Sequence, residues 1–264
     1  MREANLSPAA ITDNLGTRFM GGRVYYYPRL TSTMTAAREM ARQGATEGTV
    51  VIADEQTAGR GRGKRLWLTP QGNIALSIIL YPDKAYLPSL VMISSLAVVH
   101  SIKEVTGLDA QIKWPNDVLI SSKKVCGILI ESQVKGGVVV YAIVGIGVNV
   151  NLRVTDYPEI MTSATSLFQE LGREVSRVGL IRCLLAELER LYLSLPWGDS
   201  VYREWREKLV TLGRRVRVIS GGTVHEGIAE SVAPDGSLML RRDDGSIRTI
   251  IAGDVTLGGS GEDR

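Results

Sequence analysis

The chain has 264 residues, of which 44% are hydrophobic and 22% are charged, and its formal net charge is +3. This length suffices for one large domain, or for a large and a small one, with a sizeable core in either case. A charge of +3 is too small by itself to indicate nucleic-acid binding. There are only two cysteines, Cys126 and Cys183, and they have no metal-ligand spacing, so the sequence indicates neither a disulfide framework nor a zinc site.

The sequence at the amino terminus lacks the apolar run of a signal peptide. The longest apolar stretches, residues 87–100 and 138–150, are too short and too interrupted by serine or glycine to span a bilayer. The sequence therefore predicts a reduced, cytoplasmic protein with no membrane partner.

Helical and strand patterns alternate through the first 212 residues. Cap residues and apolar spacing predict helices over residues 8–15, 31–43, 88–105, 164–171, 177–195 and 197–212. Short β-branched or apolar runs predict strands over residues 24–27, 49–53, 74–81, 111–114, 118–120, 125–132 and 138–150. We expect Pro28 to stop the first strand, and we expect the last three strands to pair antiparallel because their connections are tight.

The pattern changes after residue 212. Four β runs, over residues 216–219, 224–231, 238–242 and 247–251, are separated by hairpin signals such as Pro234-Asp235-Gly236. Their close spacing predicts a small barrel or sandwich, with a domain boundary near residue 212. His100, His225 and Cys183 have no catalytic partner in the sequence, so we interpret them as structural residues.

The stretch from Asp54 to Trp67 reads Asp-Glu-Gln-Thr-Ala-Gly-Arg-Gly-Arg-Gly-Lys-Arg-Leu-Trp. Its glycines allow backbone N–H groups to approach a ligand, and its arginines and lysine suit phosphate or carboxylate oxygens. Between Gln56 and Pro82 there are four basic residues and no acidic one. By itself this run leaves three interpretations open: an anion-binding loop, a disordered nucleic-acid-binding segment, or a solvated loop without a role.

Three further stretches have the composition of a binding site. Lys113-Trp114-Pro115-Asn116-Asp117 groups a lysine, an aromatic ring and a carboxylate at a strand end. Lys124 enters a strand that carries Gly127, and Gly145-Ile146-Gly147-Val148-Asn149 ends a strand in an amide. The sequence shows no Ser/His/Asp set, no paired catalytic acids and no metal cluster. Positive charge, glycine and buried amides suit a reaction that brings a carboxylate onto a phosphate, such as the formation of an acyl-adenylate.

These motifs occur in the order of a known family. The chain resembles biotin protein ligase (biotin–[acetyl-CoA-carboxylase] ligase) from about residue 24 to the C-terminus, through Ser32-Thr33, Gln56 with Gly59-Arg60-Gly61-Arg62, Lys113–Asp117, Lys124 with Gly127-Ile128-Leu129 and Glu131, and Gly145 with Gly147 and Asn149. The resemblance implies an α+β fold, with a class II synthetase-like mixed sheet and helices, followed by a small C-terminal SH3-like β-barrel. It assigns residues 1–212 to a catalytic domain, with 1–22 as a short N-terminal extension, and residues 213–264 to the SH3-like domain.

The resemblance also implies an ATP-dependent activity in two steps. The carboxylate of biotin attacks the α-phosphate of ATP to give biotinyl-5′-AMP and pyrophosphate. A lysine of an acceptor biotinyl domain of a carboxylase then takes the biotinyl group and releases AMP. ATP and Mg²⁺ are expected to be required, with no tightly bound organic cofactor. We expect a homodimer formed through the sheet, and no DNA binding, because the resemblance is to the monofunctional type without an N-terminal DNA-binding domain.

Matching the family's motifs position by position implies three sets of site residues. The catalytic set is Lys124, Arg60, Arg62, Asp117 and Lys113, with Mg²⁺ expected near Asp117. The biotin-binding set is Ser32, Thr33, Gln56, Arg60, Gly61, Arg62, Lys124 and Gly127. The ATP- and adenylate-binding set is Arg60, Arg62, Arg65, Trp67, Asn116, Lys124 and Asn149.

The chain departs from the family's pattern at two positions inside these motifs. Met34 stands where a polar residue often follows Ser-Thr, and Lys64 stands where a glycine is usual.

Two alternative functions remain. A lipoate–protein ligase shares the fold and the adenylate chemistry, although the Gly-Arg-Gly-Arg loop and the Lys113–Asp117 motif favour biotin. A nucleic-acid-binding protein would use the loop and the basic C-terminal residues, but it leaves Lys113–Asp117 and Gly145–Asn149 unexplained.

Overall fold

The computed structural model describes residues 6–63 and 65–258. Seven strands form a mixed sheet: β1 (Val24–Leu30), β2 (Val50–Gln56), β3 (Ile74–Leu80), β4 (Gln111–Lys113), β5 (Asp117–Ile120), β6 (Lys123–Lys135) and β7 (Val138–Val148). Their order across the sheet is β1-β2-β3-β7-β6-β5-β4. Strands β1 and β2 are parallel, and all other neighbours are antiparallel.

The sheet lies between two layers of helices. The described residues form α1 (Pro8–Thr12), α2 (Thr33–Arg42), α3 (Ser89–Thr106), α4 (Leu167–Leu171), α5 (Arg177–Ser194) and α6 (Ser200–Glu207). Val51 and Ile79 pack in a cluster with α2, whereas Val50 and Ile78 belong to the larger core with α3 and α5. Successive strand residues point to opposite faces, so these two clusters cover opposite faces of the sheet. Helix α3 has the length and composition to cross a membrane, but most of it is buried inside the protein.

The C-terminal residues form a second sheet. Its strands are β8 (Arg215–Ser220), β9 (Thr223–Val232), β10 (Leu238–Arg241), β11 (Ile247–Ile250) and β12 (Asp254–Leu257). They are antiparallel throughout and follow the order β11-β10-β9-β8-β12. Val218 and Leu238 of this sheet belong to the same hydrophobic core as Trp114 and Trp205. A mixed sheet with helices, followed by an antiparallel C-terminal sheet, confirms the predicted α+β class.

Helices α1 and α4 are shorter than predicted and strand β6 is longer, and three further differences have a clear physical reason. Strand β1 runs through Pro28 to Leu30, and this is tolerated because β1 lies at the edge of the sheet, where one side of the strand needs no partner. Helix α6 ends at Glu207, because the following segment pairs with Ile112 of β4 through Lys208 and Val210. Strand β12 was not predicted; it is short, and only one of its four side chains is buried.

The first histidine, His100, connects three helices. Its Nδ1 lies 3.1 Å from Glu187 Oε2 on α5, and its Nε2 lies 2.6 Å from Glu204 Oε1 on α6. The ring therefore connects α3 to both neighbouring helices, which is a structural role. Both glutamates are far from His100 in the sequence, so no sequence pattern indicated these contacts.

Candidate active site

A pocket lies over strands β3, β6 and β7 and is covered by the glycine-rich loop that joins β2 to β3. Its other walls come from the segment 113–117 and from β12. The predicted site residues that line it are Thr33, Gln56, Arg60, Gly61, Arg62, Arg65, Trp67, Lys113, Asn116, Asp117, Lys124 and Gly127. Motifs that lie far apart in sequence thus meet around one cavity.

Hydrogen bonds hold the polar end of the pocket rigid. Gln56 Oε1 accepts from the backbone N–H of Thr33 at 2.8 Å and from Thr33 Oγ1 at 3.2 Å. Gln56 Nε2 donates to Thr69 Oγ1 at 2.9 Å, and Ser77 Oγ donates to Thr33 Oγ1 at 2.8 Å. Because each partner is itself fixed, the amide of Gln56 presents donors and acceptors in one orientation. Next to this cluster, the hydroxyl of Ser32 is buried and has no hydrogen-bond partner among the described residues.

The opposite end of the pocket is cationic. Lys124 Nζ lies 2.6 Å from Asp117 Oδ1 and 5.2 Å from the centre of the Trp67 ring. Lys113 pairs across β4 and β5 with Asp117. Burial lowers the pKa of Lys113 below its usual value; the charges of Lys124 and Arg65 add to this effect, and Asp117 opposes it. The basic side chains that line the pocket therefore outnumber its two carboxylates, Asp117 and Asp254, which leaves the pocket with excess positive charge.

The arginines of the glycine-rich loop are each held by a partner. Arg60 pairs with Glu131 of β6 at 2.7 Å, and Arg65 pairs with Asp254 of β12. Arg62 Nη1 donates to Asn116 Oδ1 at 3.1 Å and to the carbonyl oxygen of Gly253 at 3.0 Å. Burial lowers the pKa of Arg62 from its usual value, although a guanidinium stays protonated near neutral pH. These contacts fix the loop over the pocket.

Glycines in the sheet make room for Trp67. A β-carbon at Gly147 would collide with the indole ring of Trp67, and one at Gly127 would lie 3.0 Å from that ring. A β-carbon at Gly145 would likewise collide with the sulfur of Met34. Side chains at these positions would therefore push Trp67 and Met34 out of the pocket wall. Lys64, the other departure from the family's pattern, lies outside the described residues.

Residues 26–149 match the model of the Biotin/lipoate A/B protein ligase family, and residues 211–258 match that of the Biotin protein ligase C terminal domain. The bifunctional ligase/repressor BirA of Bacillus subtilis is 37% identical over 263 residues, which cover 97% of this chain and 81% of that protein. The chain belongs to the biotin protein ligase family. It is therefore a ligase, as predicted.

Further relatives agree with this assignment to the biotin protein ligases. A biotin–[acetyl-CoA-carboxylase] ligase of Paracoccus denitrificans is 34% identical over 88% of this chain and 99% of its own length. The structure of the biotin protein ligase from Aquifex aeolicus in complex with biotin and ATP has a TM-score of 0.77 at 27% identity, covering 90% of this chain and 100% of that one. The Bacillus relative is named a repressor as well as a ligase, so the expected lack of DNA binding stays a prediction.

Two predicted ligand contacts of the ligase do not reach the pocket wall. Ser32 is buried behind it, next to Thr33. Asn149 is also buried, and its Nδ2 donates to the carbonyl oxygen of Thr165 at 3.0 Å. Within the described residues, Asn149 therefore holds the segment after β7, and its predicted contact with adenine stays a prediction.

The pocket wall offers few acidic ligands for a metal ion. The described residues contain no group of three or more His, Cys, Asp and Glu side chains placed to hold a metal ion. Two carboxylates line the pocket, Asp117 and Asp254, and each is paired with a cation. Mg²⁺ bound with a nucleotide needs only one or two protein carboxylates, because phosphates and waters supply its other ligands.

Three residues of the site were missed at the sequence level. Glu131 stands inside a quoted motif, but nothing local indicates that it pairs with Arg60. Gly253 and Asp254 follow the last predicted β run and carry no motif, yet both contact the arginines of the glycine-rich loop. The weak strand signal of β12 gave no reason to connect the C-terminal sheet with the pocket.

Proposed function

We propose that the ligase activates biotin with ATP to form biotinyl-5′-AMP and then transfers the biotinyl group to a lysine of a carboxylase's biotinyl domain. One observation carries the proposal: a single pocket joins a rigid cluster of amide and hydroxyl groups to a cluster of cationic side chains. The names of the relatives support it, since the Paracoccus protein is a biotin–[acetyl-CoA-carboxylase] ligase and the Aquifex structure contains biotin and ATP.

The polar end of the pocket suits the ring of biotin, whose urea group offers a carbonyl acceptor and two N–H donors. We assign this end to Ser32, Thr33 and Gln56. Because Ser32 is buried behind the pocket wall, its contact with biotin requires the wall to rearrange. Its hydroxyl has no partner among the described residues, and a hydrogen bond to the ligand would then remove the free-energy cost of leaving it unpaired. Met34 supplies an apolar wall next to this cluster, and Gly127 leaves room for the aliphatic chain of biotin.

The cationic end suits the carboxylate of biotin and the α-phosphate of ATP. In the first step a carboxylate oxygen attacks the α-phosphorus, and the bond to pyrophosphate breaks. We assign Arg60, Arg62 and Lys124 to these anions, with Gly61 allowing the backbone to come close. Cations that are already fixed in a partly dehydrated pocket stabilise the negative charge on the reacting phosphate. Water would have to reorganise to stabilise the same charge. On ligand binding, Lys124 exchanges Asp117 for phosphate oxygens.

The nucleotide is assigned to the outer part of the pocket. Arg65, Trp67 and Asn116 line it there, next to Lys113 and Asp117. The assignment of Asn149 to adenine requires the segment that it now holds to rearrange. Mg²⁺ would arrive with ATP and be held by the phosphates and Asp117, and it supplies further neutralisation of phosphate charge.

The second step needs a neutral amine. We propose that Asp117 accepts the proton of the acceptor lysine as its nitrogen attacks the acyl carbon and AMP leaves. Lys113 would bind the phosphate of the departing AMP, because its half-buried ammonium group lines the same part of the pocket. Cations that retain the adenylate until the acceptor arrives also protect it from hydrolysis.

Strand β6 offers a surface for assembly. It pairs with β7 along its length, but β5 pairs only with the residues from Lys123 to Gly127. The other edge of β6 beyond Ile128 has no paired strand within the described residues, and such an edge can add a strand of another chain. We propose a homodimer through this edge, which sedimentation at several concentrations tests.

We also propose the domain boundary near residue 212 and a cytoplasmic location.

Exchange of labelled pyrophosphate into ATP tests the first step, with biotin or lipoate supplied in turn. We expect exchange with biotin and none with lipoate. Exchange with lipoate alone would support the lipoate–protein ligase alternative, which the name of the matched family also covers. A lack of exchange with either acid would contradict the adenylate mechanism altogether.

A further inference from the structure

The C-terminal sheet holds the glycine-rich loop. Arg62 donates to the carbonyl oxygen of Gly253 at 3.0 Å, and Arg65 pairs with the carboxylate of Asp254. A β-carbon at Gly253 would lie 2.6 Å from Val218 of β8, so the backbone of Gly253 rests directly on this sheet. Two cations that we assign to the adenylate are thus positioned by the other sheet.

A second contact fixes that sheet relative to the pocket. Trp114 is 1% exposed, and its indole Nε1 donates to the carbonyl oxygen of Gly236 at 2.8 Å. Gly236 lies in the turn between β9 and β10. The backbone N–H of Trp114 donates to Thr211 Oγ1 at 2.9 Å, just before the C-terminal sheet begins. Trp114 therefore joins the segment 113–117 of the pocket wall, called the pocket segment below, to the C-terminal sheet through its side chain and its backbone.

We propose that Trp114 is a positioning residue for the adenylate site, acting through the C-terminal sheet on Arg62 and Arg65. Asn116, two residues after Trp114, accepts a hydrogen bond from Arg62 at 3.1 Å. The pocket segment thus holds Arg62 on one side, and the sheet that Trp114 anchors holds it on the other through Gly253. A shift of that sheet would move the acceptors of both arginines. The inference rests on the proposed function, because it concerns retention of the adenylate.

Trp205 provides a matched control for simple packing. It is 0% exposed, belongs to the same core as Trp114, and has an indole N–H without a hydrogen-bond partner among the described residues. Its ring also lies 3.9 Å from the position of a β-carbon at Gly236. Tryptophan-to-phenylalanine substitution removes the same volume at either site. Only Trp114→Phe removes a hydrogen bond between the pocket segment and the C-terminal sheet.

The experiment compares the full-length wild type with Trp114→Phe and Trp205→Phe. Unfolding by denaturant measures the stability of each protein, and we expect both variants to lose stability. We expect the biotin dissociation constant to change by less than about twofold, and release of preformed biotinyl-5′-AMP to become roughly three- to tenfold faster in Trp114→Phe alone, the factor for one net hydrogen bond. If the substitution acted only by lowering stability, we would expect both variants to behave alike, and we would not expect faster adenylate release with unchanged biotin affinity in Trp114→Phe alone.

Hydrogen exchange of residues 59–67 in the ligand-free proteins supplies a readout that needs no substrate. We expect faster exchange there in Trp114→Phe than in Trp205→Phe. Thr211→Val, which keeps the side-chain volume and removes the acceptor of the Trp114 N–H, serves as a second variant and should change exchange in the same direction. Equal exchange in all four proteins would overturn the inference. A wild type that forms no adenylate would overturn the proposed function instead, while the exchange comparison would still decide the role of Trp114.

Discussion

The ammonium group of Lys124 lies 2.6 Å from the carboxylate of Asp117, with the ring of Trp67 on its other side. The cation assigned to the reacting phosphate is therefore paired with the carboxylate assigned to the second step. In the proposed mechanism a bound anion would separate this pair and free Asp117 to accept a proton or to bind Mg²⁺. The two proposed steps would then be linked through this one ion pair.

Replacing Lys124 by methionine removes the charge and keeps an aliphatic side chain of similar length. We expect the rate of biotin-dependent pyrophosphate exchange to fall roughly 10²- to 10³-fold, the usual cost of removing one donor to a developing charge. Lys123→Met is the control, because Lys123 is exposed and does not line the pocket. Exchange at the wild-type rate in Lys124→Met would contradict the role assigned to this residue.

Replacing Arg62 by alanine removes a guanidinium that is fixed by Asn116 and Gly253. We expect biotinyl-5′-AMP to bind more weakly by about 1.5–3 kcal/mol, the scale of a hydrogen bond to a charged group, and to dissociate correspondingly faster. Stopped-flow displacement of the adenylate measures this rate. Arg29→Ala is the control, since Arg29 is an exposed arginine at the edge of the sheet. An unchanged dissociation rate would show that Arg62 does not hold the phosphate.

Gly147→Ala tests the packing of Trp67 on the sheet. Because the added β-carbon collides with the indole ring, we expect Trp67 to leave its position and stability to fall by about 1–3 kcal/mol, the usual cost of overpacking. Tryptophan fluorescence and adenylate affinity should change together. In Gly179→Ala on α5 the new β-carbon meets only ordinary contacts, so neither signal should move. A Gly147→Ala protein with wild-type fluorescence would contradict this packing.

Tyr26 gives a stability change at alkaline pH. Its hydroxyl donates to Asp54 Oδ2 at 2.6 Å, and Asp54 Oδ1 lies 2.6 Å from Arg177 Nη1. Burial, followed by the hydrogen bond to Asp54, raises the pKa of Tyr26 from its usual 10 to about 12. The folded protein therefore holds this proton more tightly than the unfolded chain. Its contribution to stability is fully present below pH 10 and is lost as the pH rises from 10 towards 12.

Tyr26→Phe removes this contribution. We expect the variant to be less stable at pH 8 by roughly 1.5–3 kcal/mol, the range for a hydrogen bond to a charged group. The difference in unfolding free energy between wild type and variant should shrink between pH 10 and 11.5, as measured with denaturant at each pH. The pKa values of Tyr81 and Tyr192 are raised in both proteins, so only the difference reports on Tyr26. A difference that stays constant with pH would contradict the raised pKa.

Most of the pocket could be predicted from sequence because its groups belong to short motifs with local chemistry. The Gly/Arg run, the segment 113–117 and Lys124 with Gly127 each state which groups are present and which ligands suit them. Element order was also predictable, since apolar periodicity and glycine breaks mark helices and strands. Pro28 misled the prediction of β1 because an edge position is a property of the assembled sheet and not of the residues around the proline.

The amino-acid sequence predicts which groups the site contains, whereas the contacts that hold those groups in place depend on how the folded chain packs. Arg62 and Gly253 are 191 residues apart, and Trp114 and Gly236 are 122 apart. Each pair is joined by single hydrogen bonds between irregular segments, which impose no periodicity and no composition on the chain. The hydrogen bond from the buried amide of Asn149 to the carbonyl oxygen of Thr165 is likewise a contact that no sequence pattern indicates. Such contacts exist only because packing of the shared core brings the two sheets together, and that packing depends on the whole chain at once.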